Sequence, residues 1–174
     1  MNVFRHMKKN ELSDIRPLPP LMLVLGYAGL GPFVLLSVMM LHAAFVGPGL
    51  QSSSVLGLYT PYLFISYSAI ILSFLSGTLW SRNGYAPEST QKELLLLGSN
   101  FLALIAWLAL VLVYFSSVMT MFAVSLLIAG FASVLLFERS MMITNKSYWR
   151  LRLYLTGTVI ATQLLVLFLL IEDL

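Results

Sequence analysis

The sequence predicts an all-α integral membrane protein, a bundle of five transmembrane helices with the N-terminus inside and the C-terminus outside. Three observations carry this. The first is composition. Of 174 residues, 59% are hydrophobic and 10% are charged, against roughly 25% charged in a soluble domain. That is too little polar side chain to cover a globule of this size, so lipid must solvate most of its surface. The second is length. A hydrocarbon core of about 30 Å takes roughly 20 apolar residues per helix. Five stretches of that kind, at about 20–46, 61–82, 92–114, 118–137 and 149–171, leave only a 1–17 tail outside an 18–174 membrane domain.

The third observation is where the positive charge falls. Arg5, Lys8, Lys9 and Arg16 lie in the tail, Arg82 and Lys92 flank the second connection, and Arg139, Lys146, Arg150 and Arg152 flank the fourth. Those are all 10 Lys and Arg residues. The other connections have none, and the chain ends in Glu172-Asp173-Leu174. Basic residues in short loops stay on the cytoplasmic side, so all three basic regions fall inside. Adding or losing a span would scramble that agreement. The net charge of +3 is thus explained by topology, and no nucleic-acid partner is expected.

The tail mixes its basic residues with Glu11 and Asp14. The apolar run behind it is too long for a cleaved signal peptide, and the acidic residues disfavour a mitochondrial transit peptide. It reads as a retained signal anchor, and the bacterial cytoplasmic (inner) membrane is the expected location. In the first span, Pro19 and Pro20 suit a first helical turn. Pro32 removes a backbone hydrogen bond and should kink that span, and Gly47-Pro48-Gly49 ends it. A serine-rich linker follows. Thr60 and Pro61 open the second span, and Asn83-Gly84 is a plausible stop.

The second span is the expected centre of the bundle. Ala69, Ser73, Gly77 and Ser81 recur every fourth position, a spacing that lets helices approach closely in lipid. Trp80 anchors one interface and Tyr59 and Tyr62 the other. Thr90 and Glu93 have capping-box spacing before the third span. The fourth span carries Ser125, Ala129 and Ser133, and the fifth carries Gly157 and Ala161, at the same small-residue spacing.

Candidate chemistry is sparse. Trp149, Arg152, Thr156 and Gln163 fall near one face of the fifth span by spacings of three, four and seven. Glu138 ends the fourth span on the membrane side of Arg152, so a Glu138–Arg152 pair is expected to close that end. Arg152 is the charge such a site would offer an anionic headgroup, unless it serves only as a snorkelling anchor. Asn100, Trp107 and Tyr114 share a face of the third span. Asn100 is expected either to line a polar path with Gln163 or to make an interhelical hydrogen bond.

No cofactor or metal site is expected. The chain has no Cys, and its two histidines, His6 and His42, are far apart with no carboxylate beside them. Gly26 to Gly31, GYAGLG, lies inside a span and reads as packing. Asn145-Lys146-Ser147 fits a glycosylation sequon, but on the side where glycans are not added.

Four segments together, LGYAGLGPFVLL (Leu25 to Leu36), YSAIILSFLSGTLW (Tyr67 to Trp80), LALIAWLAL (Leu102 to Leu110) and YWRLRLYLT (Tyr148 to Thr156), resemble the transmembrane protein 69-like family. That is a domain of unknown function in bacterial and mitochondrial inner membranes. The resemblance covers the chain from about Leu18 onward. Its marks fall on Gly29, Pro32, Phe33, Tyr67, Ser73, Phe74, Leu75, Gly77, Trp80, Trp107, Trp149, Arg152, Leu155 and Thr156. Ser76 and Ser81 stand where the family often has glycine, and both are still small. The resemblance implies an inner-membrane protein and no activity.

The function expected is non-enzymatic: an accessory or assembly subunit that packs against other membrane proteins or itself. The alternative is a small transporter or channel for a solute, lipid or ion, through Asn100, Gln163 and Arg152. A membrane enzyme acting on lipid or quinone ranks third.

Overall fold

The computed structural model describes residues 18–82, 89–140 and 146–174, without the side chains of Arg82, Ser89 and Gln91. The tail with His6, the Asn83-Gly84 stop and Asn145 of the sequon lie outside these residues. Five helical spans are present. The first is split into α1 (Pro20–Ala28) and α2 (Gly31–Phe45). The others are α3 (Thr60–Arg82), α4 (Ser89–Leu112), α5 (Ser117–Ser140) and α6 (Lys146–Glu172). Thr90 therefore lies within the first turn of α4 rather than at its cap. Glu138 lies within α5, which runs three residues beyond the expected Phe137.

The expected kink in the first span is a short interruption of the helix, with Gly29 and Leu30 still in the right-handed helical region. Pro20 takes the first position of α1, and Pro32 sits in the first turn of α2, where a missing N–H costs nothing. The break falls at Gly29–Leu30. The Tyr67 hydroxyl of α3 donates to the Gly29 carbonyl at 3.0 Å, so a carbonyl at the interruption is met by a neighbouring helix. Phe33, one residue past Pro32, packs edge-on against Phe64, Tyr67 and Phe131 with centroids 5.6, 5.0 and 6.3 Å away. Such ring pairs add about 0.5–1.5 kcal/mol each beyond their buried area.

α3 is the centre of the bundle, packing against α2, α4 and α5. α6 closes the ring against α5 and α2. The face that α3 turns inward differs from the expected one. Phe64, Ile65, Ser68, Ala69, Leu72, Leu75, Ser76 and Leu79 are buried, whereas Ser73, Gly77 and Ser81 are exposed. Helix geometry explains the difference. Four residues turn roughly 400°, so a stripe of strict four-residue spacing drifts about 40° per step. Ala69 starts inside, and the stripe has wound onto the outer surface by Ser73. The buried face alternates threes and fours and stays put. Ser125 and Ala129 on α5, and Gly157 and Ala161 on α6, are also outward, whereas Ser133 is half-buried.

The close approach in the core is made elsewhere. A Cβ on Gly130 of α5 would lie 2.5 Å from Leu72 Cδ2 of α3, and one on Gly98 of α4 would lie 2.7 Å from the Phe137 ring.

The serine-rich linker is ordered. A 3-10 turn (Leu50–Ser52) tucks Leu50 into the core, and a hairpin follows, β1 (Ser54–Val55) with β2 (Leu58–Tyr59), in register Ser54 to Tyr59. Its turn residues, Leu56 and Gly57, have φ of 53° and 79°, the positive pair that two-residue hairpin turns require. Thr60 is held by this hairpin. Its N–H donates to the Ser53 carbonyl at 3.0 Å, and its hydroxyl accepts from Ser53 Oγ at 2.9 Å.

Candidate functional site: a buried ion pair beside an apolar groove

Periodicity places the charges. The buried face of α5 runs Thr120, Ala123, Val124, Leu127, Gly130, Phe131, Val134, Glu138. Glu138 simply continues that three-four alternation, so the carboxylate points at α6. On α6 the inward face holds Thr156, Val159, Gln163, Val166 and Leu170, and stepping back four from Thr156 gives Arg152. Arg152 Nε donates to Glu138 Oε2 at 2.6 Å. The side chains are 12% and 0% exposed. The expected pair is therefore present, and it closes the end of α5 and α6. A charge-assisted bond of this length is strong, and it ties the two helix ends together.

Arg152 also lines a groove of about 510 Å³. Its walls include Leu25 and Gly26 of α1, Phe74 and Thr78 of α3, and Leu155 of α6. The groove lies between α1, α3 and α6. No residue of α1 is buried. α1 approaches α6 closely at one point, where a Cβ on Gly26 would lie 3.0 Å from Leu155 Cδ1.

The remaining expected residues divide. Thr156 is buried, and Gln163 is fully buried with neither Nε2 nor Oε1 hydrogen-bonded. Gln163 lies eleven positions beyond Arg152, roughly 16 Å along the helix, so the two share a face but not a site. Trp149 is half-buried. Asn100 is exposed and donates to the Leu96 carbonyl of its own helix at 2.8 Å. Trp107 and Tyr114, on the same face, are also exposed. The expected polar path through Asn100 and Gln163 is therefore not assembled, because Asn100 looks out of the bundle. A helix face with an Asn and two large aromatics is as suited to lipid as to a core, and spacing cannot separate the two. Trp80 is also exposed.

At the opposite end, sequence reading missed a second constellation. Gln51 Nε2 donates to Asp173 Oδ2 at 2.6 Å, tying the 3-10 turn to the residue after α6. Beside it, Tyr59 packs edge-on against Tyr62 at 5.0 Å. Burial, then the Asp173 carboxylate and Tyr62, push the Tyr59 phenol up to about 12. Only contact across 122 positions assembles this cluster, so no local motif announced it. Among the described residues no three His, Asp or Glu side chains converge as a metal site.

No curated protein and no solved structure matches the chain. Residues 18–168 match the family described as protein of unknown function, DUF3429. That segment begins where the membrane domain begins and ends inside α6, so it takes in the broken first span, the Glu138–Arg152 pair and the groove. On that match the chain belongs to the DUF3429 family, whose function is not assigned.

Proposed function

We propose that this multi-pass protein is a non-enzymatic accessory or assembly component of the bacterial inner membrane, packing against other membrane proteins or a second copy of itself. The observation that carries this reading is the outward position of the small-residue stripes. Ser73 and Gly77 of α3, Ser125 and Ala129 of α5, and Gly157 and Ala161 of α6 are all exposed. A Cβ on Gly77 or Gly157 would meet nothing within 4 Å. Lipid gives helices no hydrophobic reason to associate, and small residues let backbones gain dispersion contact instead. In this chain the intramolecular approaches use Gly98 and Gly130, which leaves the outward stripes open to a partner helix.

The location and the cytoplasmic N-terminus in this proposal rest on the distribution of Lys and Arg and on the resemblance to the transmembrane protein 69-like family. The test is a pair of bulky substitutions, Ser73→Leu and Gly77→Leu, followed by complex size in mild detergent. Both positions are open, so folding should survive and association should be lost. An unaltered complex would make the stripe ordinary lipid-facing surface.

A further inference from the structure

We propose that the groove beside Arg152 is a binding site for an anionic phospholipid, with the phosphate on the Arg152 guanidinium and an acyl chain between α1, α3 and α6. The first argument is the order of its lining. Ser81 lies near the C-terminal end of α3, and Tyr148 and Arg152 lie near the N-terminal end of α6, so these polar groups occupy one end of the groove. Phe74, Leu75 and Leu155 lie deeper along the same helices. Seven residues from Ser81 to Phe74 span roughly 10 Å. The groove is thus polar at the membrane surface and apolar toward the midplane, which is the profile of a lipid.

The second argument is charge. Among the described residues, Arg152 is the one charged side chain lining the groove. Glu138 engages its Nε, and Nη2 is buried with no hydrogen-bond partner. A guanidinium has five donors in a fixed fork, so the carboxylate orients it without filling it. Arg152 keeps 12% of its side chain exposed and lines the groove. The surrounding end of the bundle is basic. Among side chains described there, Lys92, Arg139, Lys146 and Arg150 are exposed cations, and Glu93 is the exposed carboxylate. Basic pockets between spans on the cytoplasmic face suit anionic headgroups. The third argument is size. About 510 Å³ lies within the range of built ligand sites, which pair apolar walls with few polar groups.

The experiment uses the full chain purified in mild detergent, with thermal unfolding followed as lipid is added. Dioleoyl phosphatidylglycerol is the anionic probe, the phosphatidylcholine of the same chains is the zwitterionic control, and sodium phosphate is the soluble anion. Phosphatidylglycerol is expected to raise the apparent Tm with concentration and to bind about tenfold more tightly than phosphatidylcholine. The double variant Glu138→Gln/Arg152→Gln removes both charges of the pair together and should erase that preference. Thr78→Phe, which fills the groove without touching the charge of the pair, should weaken retention of both lipids. Arg139→Gln/Arg150→Gln should leave the preference in place.

Equal stabilisation by the two lipids would overturn the proposal. So would a preference that survives in the Glu138/Arg152 double variant, or one lost only with Arg139 and Arg150, which would mark a diffuse surface effect. Stabilisation by phosphate alone equal to that by phosphatidylglycerol would make the ligand a soluble anion. Should the double variant fail to fold, unchanged lipid retention in Thr78→Phe still refutes the groove.

Discussion

Separating Glu138 from Arg152 should destabilise the protein unequally, depending on which partner is removed. Glu138 is wholly inaccessible, and its Oε2 accepts the Arg152 Nε hydrogen bond at 2.6 Å. Arg152→Met takes the guanidinium from a wholly buried carboxylate. Removing one partner of a buried pair costs about 3–5 kcal/mol. Glu138→Gln is milder. Arg152 keeps 12% of its side chain exposed and has a long stem with which to snorkel, and the amide can still accept a hydrogen bond. We expect about 1–3 kcal/mol there, the cost of a buried polar group losing its match. The double variant should cost less than Arg152→Met alone, because no charge is stranded, with a coupling of about 1–3 kcal/mol. The assay is reversible unfolding in mixed micelles of rising SDS fraction, followed by far-ultraviolet circular dichroism. Additivity within about 0.5 kcal/mol, with each single change nearly silent, would show that the pair is a solvated surface contact and would refute the reasoning.

Three further outcomes follow from the same geometry. Gly130→Val should cost about 1–3 kcal/mol by overpacking, because its Cβ would lie 2.5 Å from Leu72, whereas Gly77→Val should change stability by less than about 0.5 kcal/mol; parallel SDS titrations compare the two, and equal effects would contradict the inside–outside assignment of α3. Tyr67→Phe removes the hydrogen bond to the Gly29 carbonyl and should cost about 0.6 kcal/mol, the bilayer average, while raising hydrogen exchange in α1 and leaving α4 unchanged. Tyr59 should ionise near 12 rather than the usual 10.0; a folded pKa above the unfolded one means that its stabilising contribution is complete below pH 10 and is lost as pH rises toward 12, which tyrosinate absorbance of wild type against Tyr59→Phe reads directly.

The spans and the ion pair were legible because both rest on periodicity and charge. Five apolar runs and ten basic residues determine the segmentation without any tertiary contact. Glu138 and Arg152 could be paired because each continues the inward face of its own helix. The small-residue stripes were legible as stripes, but their direction was not. A four-residue spacing drifts around the helix, and only the fold shows that Ala69 is inside while Gly77 is outside. Asn100 failed for a related reason: an amide can bond its own backbone at Leu96 as readily as a neighbour. The hairpin at Leu56-Gly57 lacked the Asn or Asp that usually marks such a turn. The groove was hidden because its walls come from α1, α3 and α6 together, which no local motif announces.

The association proposed for this protein is tested most directly by extracting the native membrane in mild detergent, separating by size and identifying what co-migrates. The account predicts a stable, near-stoichiometric complex larger than the monomer, lost on Gly77→Leu and retained on Arg139→Gln. A lone monomer at native expression would contradict it.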